Sequence, residues 1–289
     1  MTGSMETWAA AMRAGRYDEA WDMEVATIAA RDPAGRDDPA LPYHRRWVWD
    51  GRPVDGRDVL VRCYHGLGDT IQFARYLPVL AARARSVALE VQPRLIPLLA
   101  NLGVDEVHPF DVAAPLPPRD CDIEITELPG ALRVPPDALA APYLSWPPAA
   151  LPAGTIGICH VAGDWDADRS IPADLLRPLC ETRPCVMLAV GGTDLPCLNP
   201  EGCPPDMAAT AALVAGVEQV VTVDTMIAHL AGAMGKPTRL LLKASPDWRW
   251  SPDARGSPWY PSIRSYVQPR PGDWPTVLAD LDFHRICPP

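Results

Sequence analysis

The sequence lacks several features that would assign a function directly. It has no run of the roughly 20 apolar residues that a membrane-spanning helix needs. Its start, MTGSMETWAAAMRAGRYDEAWD, carries acids early and has no long apolar core, unlike a signal peptide. It has no basic excess either, since the formal net charge is -10, and general nucleic-acid binders usually carry a basic stripe. We therefore expect a soluble, cytoplasmic protein with no membrane span and no nucleic-acid partner.

The eight cysteines include no CxxC pair. The closest set is Cys180, Cys185, Cys197 and Cys203, and its gaps fit no common zinc pattern. Buried, reduced thiols of a cytosolic protein are the simpler interpretation. The cysteines therefore predict no metal site.

The first part of the chain has a helical pattern. Residues 5–31 are rich in Ala, Met and Glu, with apolar residues at helical spacing. The segment AGRYDEA with a preceding Trp is typical of one tetratricopeptide-type hairpin. One such unit cannot bury its own apolar face, so it packs either on the next domain or on a second copy, which would give a homodimer. We assign residues 1–42 to this helical extension.

Strand and helix patterns alternate over the rest of the chain. Strands are predicted at DVLVRCY, SVALEV, VDEVHPF and CDIEIT, and again, after a Pro-rich joint near 146–154, at TIGICHV, CVMLAV, QVVTV and TRLLL. Helices are predicted at 70–84, with a bend or break at Pro78, and at 172–180, 207–215 and 225–234. This alternation predicts an α/β protein with two doubly wound, Rossmann-like domains, 43–150 and 151–289. Ligands of such sheets bind outside the carboxyl ends of the strands, here in a cleft between the domains.

The motif HGLGDT follows the first strand of the first domain. Gly66 and Gly68 allow a sharp turn and a close approach to a ligand. Asp69 then has two interpretations. It caps the helix by accepting a backbone N–H, or Thr70 is the cap and Asp69 faces the cleft as a catalytic carboxylate.

A dinucleotide-binding loop is the obvious rival interpretation of this motif. The fingerprint G-x-G-x-x-G needs a glycine where Ile71 stands, although Glu90 lies where a ribose-binding acid would be. A carboxylate directly after the second glycine would also repel a pyrophosphate at the helix start. Asp69 therefore favours a protic group, such as an acceptor hydroxyl.

The motif VVTVDTMIAHLAGAMGKP predicts a second site. Asp224 and Thr225 supply an N-cap, and Gly235 and Pro237 end the helix. His229 lies one turn inside, and helical side chains lean toward the N-terminus, so its ring can reach the helix mouth. A helix N-terminus with a hydroxyl and an imidazole is a ready anion site. The alternative is a buried, hydrogen-bonded core histidine.

The stretch DWDADRSIP places Arg169 and Ser170 on the same rim as His160. An arginine makes bidentate phosphate contacts that a lysine cannot make. The alternative for Arg169 is a surface charge paired with Asp166 or Asp168.

A Trp-rich stretch near the end of the chain, PDWRWSPDARGSPWY, has no helix or strand pattern. Aromatic packing of Trp248, Trp250, Trp259 and Tyr260 against the domains is the favoured interpretation. The functional alternative is a wall for a sugar or a base, to which Lys243 would add a second positive charge.

Four blocks, HGLGDTIQFARYLP, DRSIP, TVDTMIAHLAGAMGKP and PDWRWSPDARGSPWYPSIR, resemble the glycosyltransferase family 9, or heptosyltransferase-like, proteins. The resemblance is closest to the bacterial branch that carries tetratricopeptide repeats ahead of the transferase region. It implies a GT-B fold of two Rossmann-like domains facing a cleft, with no metal and no cofactor. It also implies inverting transfer from a nucleotide-diphosphate sugar to a hydroxyl of a glycan, lipid-linked or protein acceptor. The acceptor would bind to 43–150 and the donor to 151–289.

The resemblance also implies site residues. It places the base at Asp69 in the loop of Gly66 and Gly68. It maps the donor-diphosphate site to Arg169, Asp224, Thr225 and His229. Together with the residues singled out above, the candidate donor site comprises His160, Arg169, Ser170, Asp224, Thr225, Met226, His229, Lys243 and Trp248. The chain departs from the family pattern at Tyr64-His65, before the glycines, and at His160, in place of a Trp. The helical start and the less basic loop after His160 favour a non-catalytic scaffold as the alternative. A nicotinamide-dependent oxidoreductase is the third interpretation.

Overall fold

The computed structural model describes residues 2–31, 38–46, 49–163 and 166–281. The chain divides into two compact units, Met1–Leu139 and Ala140–Pro289. The second unit thus begins ahead of the expected boundary at residue 151. The reason is local pairing, because the backbone N–H groups of Tyr143 and Leu144 donate to the carbonyl oxygen of Ala233 at 2.9 and 3.0 Å.

The N-terminal helical pattern forms two helices, α1 (Thr2–Arg13) and α2 (Tyr17–Ala29). Gly15, with φ +69°, lies in the turn between them. Trp21 of α2 is buried, and a Cβ atom added to Gly130 would lie 3.3 Å from its ring. The helical pair therefore belongs to the first unit and packs on the helix that contains Gly130.

The first unit contains a four-stranded parallel sheet with the order β3-β2-β1-β4. Its strands are β1 (Asp58–Arg62), β2 (Ser86–Val91), β3 (Glu106–Pro109) and β4 (Cys121–Glu124). Its helices after α2 are α3 (Tyr43–Arg46), α4 (Leu67–Phe73), α5 (Leu77–Ala81), α6 (Ile96–Leu99) and α7 (Leu128–Leu132). The predicted helix at 70–84 is interrupted by a 3-10 turn at Ala74–Tyr76, one residue before the segment that carries Pro78. The expected break at this proline is confirmed.

The second unit contains a five-stranded parallel sheet with the order β6-β5-β7-β8-β9. Its strands are β5 (Ile156–Cys159), β6 (Cys185–Met187), β7 (Gln219–Val223), β8 (Thr238–Leu242) and β9 (Ile263–Val267). Its helices are α8 (Arg177–Thr182), α9 (Met207–Gly216), α10 (Met226–Ala233) and α11 (Trp274–Ala279). The sequence did not predict β9 or α11, which follow the Trp- and Pro-rich stretch.

Both sheets are parallel, as the alternating pattern predicts, and their core strands are almost wholly buried on both faces. Over the described ranges, no helix combines the length and the apolar character that crossing a bilayer requires.

Candidate functional site

In the first unit, the glycine loop leads directly from β1 into α4. Gly66 is the N-cap, Leu67 is the first helical residue, and Asp69 is the third. The Asp69 Oδ2 atom accepts the backbone N–H of Gly66 at 3.1 Å. A Cβ atom at Gly66 would lie 3.0 Å from that oxygen, so the close approach favours glycine here. The Asp69 carboxylate therefore accepts the N-cap backbone N–H from the third helical position, as the acid of a capping box does.

Thr70 does not cap this helix. Its Oγ1 atom donates to Gln92 Oε1 at 3.0 Å, and the residue is fully buried. The hypothesis that Thr70 caps the helix and thereby leaves Asp69 unengaged is wrong, because the N-cap is Gly66, four residues before Thr70. Asp69 itself is partly exposed beside the loop.

A buried ion network lies beneath the loop and was not predicted. Arg62, fully buried at the end of β1, contacts Glu90 Oε2 at 2.7 Å and Asp122 Oδ1 at 2.8 Å. Glu90 Oε1 also accepts the backbone N–H of Leu116 at 2.8 Å. Tyr43 donates to Glu90, and burial, followed by this bond, raises the pKa of the phenol. Glu90, the acid that could have bound a ribose, is thus bonded to Arg62 and Leu116 inside the unit, which weakens the dinucleotide interpretation.

Tyr64 and His65 precede the glycines and depart from the family pattern. Both side chains contact Glu124, at the end of β4. The Tyr64 hydroxyl donates to Glu124 Oε2 at 2.9 Å, and His65 Nε2 pairs with Glu124 Oε1. The His65 carbonyl oxygen accepts from Gln92 Nε2 at 2.7 Å. The loop is therefore anchored to β4 and to the residue after β2. The sequence offered no signal for these contacts, because the partners are far apart along the chain.

In the second unit, a pocket of about 180 Å³ lies beyond the carboxyl ends of β7 and β8. Its walls bring together several of the predicted donor-site residues with others that the sequence did not single out. The polar residues that line it are Asp166, Arg169, Asp224, Lys243, Ser245 and Asp247.

Arg169 ties the loop after β5 to the end of β7. Its Nη1 atom donates to the carbonyl oxygen of Asp224 at 2.7 Å, and its Nε atom donates to that of Asp166 at 3.3 Å. The side chain is only 10% exposed. Arg169 is therefore not the surface charge of the alternative interpretation, since its guanidinium forms part of the wall of the pocket.

Lys243, the residue after β8, carries the second positive charge of the pocket. Its Nζ atom lies 2.6 Å from Asp166 Oδ2, and the same oxygen is 3.9 Å from Arg169 Nε. Asp166 therefore lies between the two cations.

Asp224 is the most buried carboxylate of this pocket. Burial raises its pKa, and the charge of Asp247 acts in the same direction. The Trp250 indole N–H and the guanidinium groups of Arg169 and Arg249 oppose the shift. Three carboxylates thus meet two cations along the lining, so the pocket carries no excess of positive charge.

Helix α10 begins and ends as predicted. The Thr225 Oγ1 atom caps it by accepting the backbone N–H of Ile227 at 3.1 Å. Met226, its first residue, is partly exposed. At the other end, Gly235 has φ +67°, and the backbone N–H of Lys236 donates to Ala231 at 2.9 Å.

His229 has the arrangement of a buried, hydrogen-bonded histidine. It is 5% exposed, and its Nδ1 atom is hydrogen-bonded with the Tyr260 hydroxyl at 3.1 Å. The rings of Trp250 and Tyr260 lie 5.6 and 5.8 Å from the imidazole. This is the second of the two interpretations considered for the residue. It connects α10 to the Trp-rich stretch, in which Trp250, Trp259 and Tyr260 are buried, as the packing interpretation predicts.

The remaining candidates form bonds within their own loops. His160 Nδ1 lies 2.9 Å from the carbonyl oxygen of Ile171, so this nitrogen donates. Ser170 Oγ accepts the backbone N–H of Ala162 at 2.9 Å. Trp248 lies under the Arg249 guanidinium, 4.5 Å from ring centroid to Cζ, and remains partly exposed.

No protein-family model matches the chain. Protein FlbA of Caulobacter vibrioides (strain ATCC 19089 / CIP 103742 / CB 15) is 26% identical over 315 aligned positions, covering 92% of this chain and 52% of FlbA. The chain therefore spans about half the length of that curated relative.

Two solved structures share the fold. One is the bacterial iron-containing dodecameric glycosyltransferase TibC from enterotoxigenic E. coli H10407, with a TM-score of 0.50 and 14% identity over 66% of this chain and 59% of TibC. The other is the glycosyl transferase family 9 protein from Veillonella parvula DSM 2008, with a TM-score of 0.50 and 14% identity over 75% of this chain and 87% of that chain. The predicted α/β, GT-B-like class is confirmed. The tetratricopeptide-repeat branch stays a prediction.

Proposed function

We propose that the chain is an inverting, metal-independent glycosyltransferase that uses a nucleotide-diphosphate sugar and a hydroxyl of a glycan, lipid-linked or protein acceptor. The observation that carries the proposal is the polar pocket beside the start of α10, with Arg169 and Lys243 in its wall, in a GT-B-like fold. The oxidoreductase alternative loses support, because Glu90 is committed to Arg62.

The donor diphosphate would bind in this pocket. Arg169 is held rigidly by backbone carbonyl groups, so its charge is already in place when the leaving group gains negative charge. The backbone N–H groups at Thr225 and Met226 and the dipole of α10 add to this. His229 would contribute indirectly and not by contact with the donor, because its hydrogen bond to Tyr260 holds α10 against the Trp-rich stretch.

Asp69 would take the proton of the acceptor hydroxyl. The hydroxyl oxygen attacks the anomeric carbon, the bond from that carbon to the diphosphate oxygen breaks, and the nucleoside diphosphate leaves with the electron pair. One oxygen of Asp69 is engaged by the Gly66 N–H, which orients the carboxylate. No redox cofactor enters this scheme, since the nucleotide sugar is the only co-substrate.

The second candidate function is a non-catalytic scaffold with a helical start. The observation that favours it is the Lys243–Asp166 ion pair. Asp166 already neutralises the Lys243 ammonium, which a donor diphosphate would need to contact.

A thermal-shift panel separates the candidates. UDP, GDP and ADP are added at millimolar concentration, with NAD as the comparison. A transferase predicts that at least one diphosphate raises Tm, because a ligand present at 100 times its Kd stabilises the folded state by about 2.7 kcal/mol. A shift with NAD alone would favour the oxidoreductase. A flat response to all four, repeated by calorimetry, would overturn the transferase proposal and leave the scaffold.

A further inference from the structure

We propose that the Asp166 carboxylate is a built-in competitor for the donor diphosphate, so that it sets the affinity of the pocket for anions. It would occupy the place on Lys243 that a phosphate oxygen takes in the bound state. This inference rests on the proposed function and assigns Asp166 a role in specificity rather than in the chemical step.

The geometry of the pair is that of an ion pair and not of a chance contact. Asp166 Oδ2 lies 2.6 Å from Lys243 Nζ, and Arg169 Nε lies 3.9 Å from the same oxygen. The side chains of Asp166 and Lys243 are 16% and 29% exposed. Because the pair is largely removed from water, salt screens it less than a surface pair.

The other two carboxylates of the pocket differ from Asp166 in their surroundings. Asp247 Oδ1 has its own partner, Arg249 Nη1, at 2.9 Å. Asp224 Oδ2 is 4.0 Å from Arg169, and burial favours its neutral form. Asp166 is therefore the carboxylate that directly neutralises Lys243.

A diphosphate that enters must break the ion pair or stay close to a second anion. A ligand with two adjacent phosphates can contact both Lys243 and Arg169 and so replace Asp166 on each. A single phosphate gains less from the same displacement. The carboxylate thus makes the pocket select for diphosphates and lets the nucleoside diphosphate product leave more readily.

The test is the variant Asp166→Asn, which keeps an oxygen that can accept from Lys243 but removes the charge. We expect the Kd of UDP, GDP or ADP, measured by calorimetry at fixed ionic strength, to fall by about tenfold, because the diphosphate no longer has to displace a carboxylate from Lys243 or lie beside it. Inorganic phosphate should gain affinity as well, which reduces the preference for diphosphates. Asp168→Asn is the matched control. It makes the same charge change two residues away at an exposed position, and it should leave every Kd within about twofold.

A double-mutant cycle locates the effect. In the presence of Lys243→Met, Asp166→Asn should tighten binding much less, because the nearer of the two cations that Asp166 neutralises is gone. If wild type binds a diphosphate and Asp166→Asn binds it equally or more weakly, the inference is wrong and Asp166 instead positions Lys243. If neither wild type nor Asp166→Asn binds any of the probes, with melting curves showing both folded, the proposed function fails as well. Binding by the variant alone would support the inference that Asp166 competes for the pocket, but it would count against the proposed function, since the wild-type chain would not bind a diphosphate.

Discussion

At the scale of single residues, the capping contact of Asp69 leaves room for the base role that its sequence position suggested as the alternative. Its Oδ2 atom accepts the Gly66 N–H, while the side chain stays partly exposed at the loop. A helix-capping carboxylate and a general base are therefore compatible here. The two roles are separated by a substitution that keeps an oxygen to accept the Gly66 N–H but cannot take up a proton.

Asp69→Asn retains an oxygen for the Gly66 N–H but cannot take a proton at neutral pH. If Asp69 is the base, we expect release of nucleoside diphosphate from the donor to slow by about 10²–10⁴-fold. The melting temperature and the Kd of the diphosphate should stay unchanged. The measurement is steady-state turnover with the donor whose nucleotide the thermal-shift panel identifies.

Asp69→Ala serves as the companion variant. It should lose the same activity and, in addition, about 1 kcal/mol of stability, because the Gly66 N–H then lacks its partner. Full turnover by Asp69→Asn, together with a destabilised Asp69→Ala, would leave the residue with its capping role alone.

At the scale of secondary-structure elements, a side chain supplies the hydrogen bonds that the outer edge of the short edge strand β6 lacks. The Asn199 amide accepts the backbone N–H of Met187 at 2.7 Å and donates to its carbonyl oxygen at 2.9 Å. Next to it, the backbone N–H of Leu198 donates to Cys185 at 2.8 Å. The loop thus covers an edge that would otherwise expose unpaired backbone groups.

We expect Asn199→Ala to lower the free energy of unfolding by about 1–3 kcal/mol, since it leaves two backbone groups of Met187 without partners. Chemical denaturation followed by circular dichroism measures the change. Asn101→Ala, at an exposed position in the first unit, is the control and should stay within about 0.5 kcal/mol of wild type. Equal effects of the two substitutions would contradict this account of the edge.

The same scale shows what the sequence could and could not predict. Strands such as β7 and β8 contain short apolar runs, 220–221 and 240–242, beside turn and helix-cap signals that the sequence shows directly. The strand β9 was missed, because Arg264 and Ser265 break the apolar run and a Trp- and Pro-rich stretch precedes it. The pairing of Asp166 with Lys243 and the partners of Glu124 were out of reach for another reason, since sequence spacing does not show which ends of parallel strands meet.

At the scale of the whole chain, the helical start packs on α7 of the first unit through partly buried carboxyl groups. Glu24 Oε1 accepts from Trp8 Nε1 at 2.8 Å, and a Cβ atom on Gly130 of α7 would lie 2.5 Å from Glu24 Oε2. Burial raises the pKa of Glu24 to about 7, and the Glu127 charge acts in the same direction, while Trp8 and Arg133 oppose it. Burial likewise raises the pKa of Glu127 to about 7.

These shifts predict how stability depends on pH. A folded-state pKa near 7, against about 4.3 in the unfolded chain, means that the contribution of Glu24 is fully present below pH 4.3 and is lost as pH rises through 7. Glu24→Gln has an amide oxygen that still accepts from Trp8. We therefore expect its free energy of unfolding to exceed that of wild type by about 1–3 kcal/mol at pH 8 and to differ little at pH 4. Denaturation at both pH values measures this, with the exposed Glu6→Gln of α1 as the control. A gain that is the same at both pH values would show that the helical start does not depend on the protonation of Glu24.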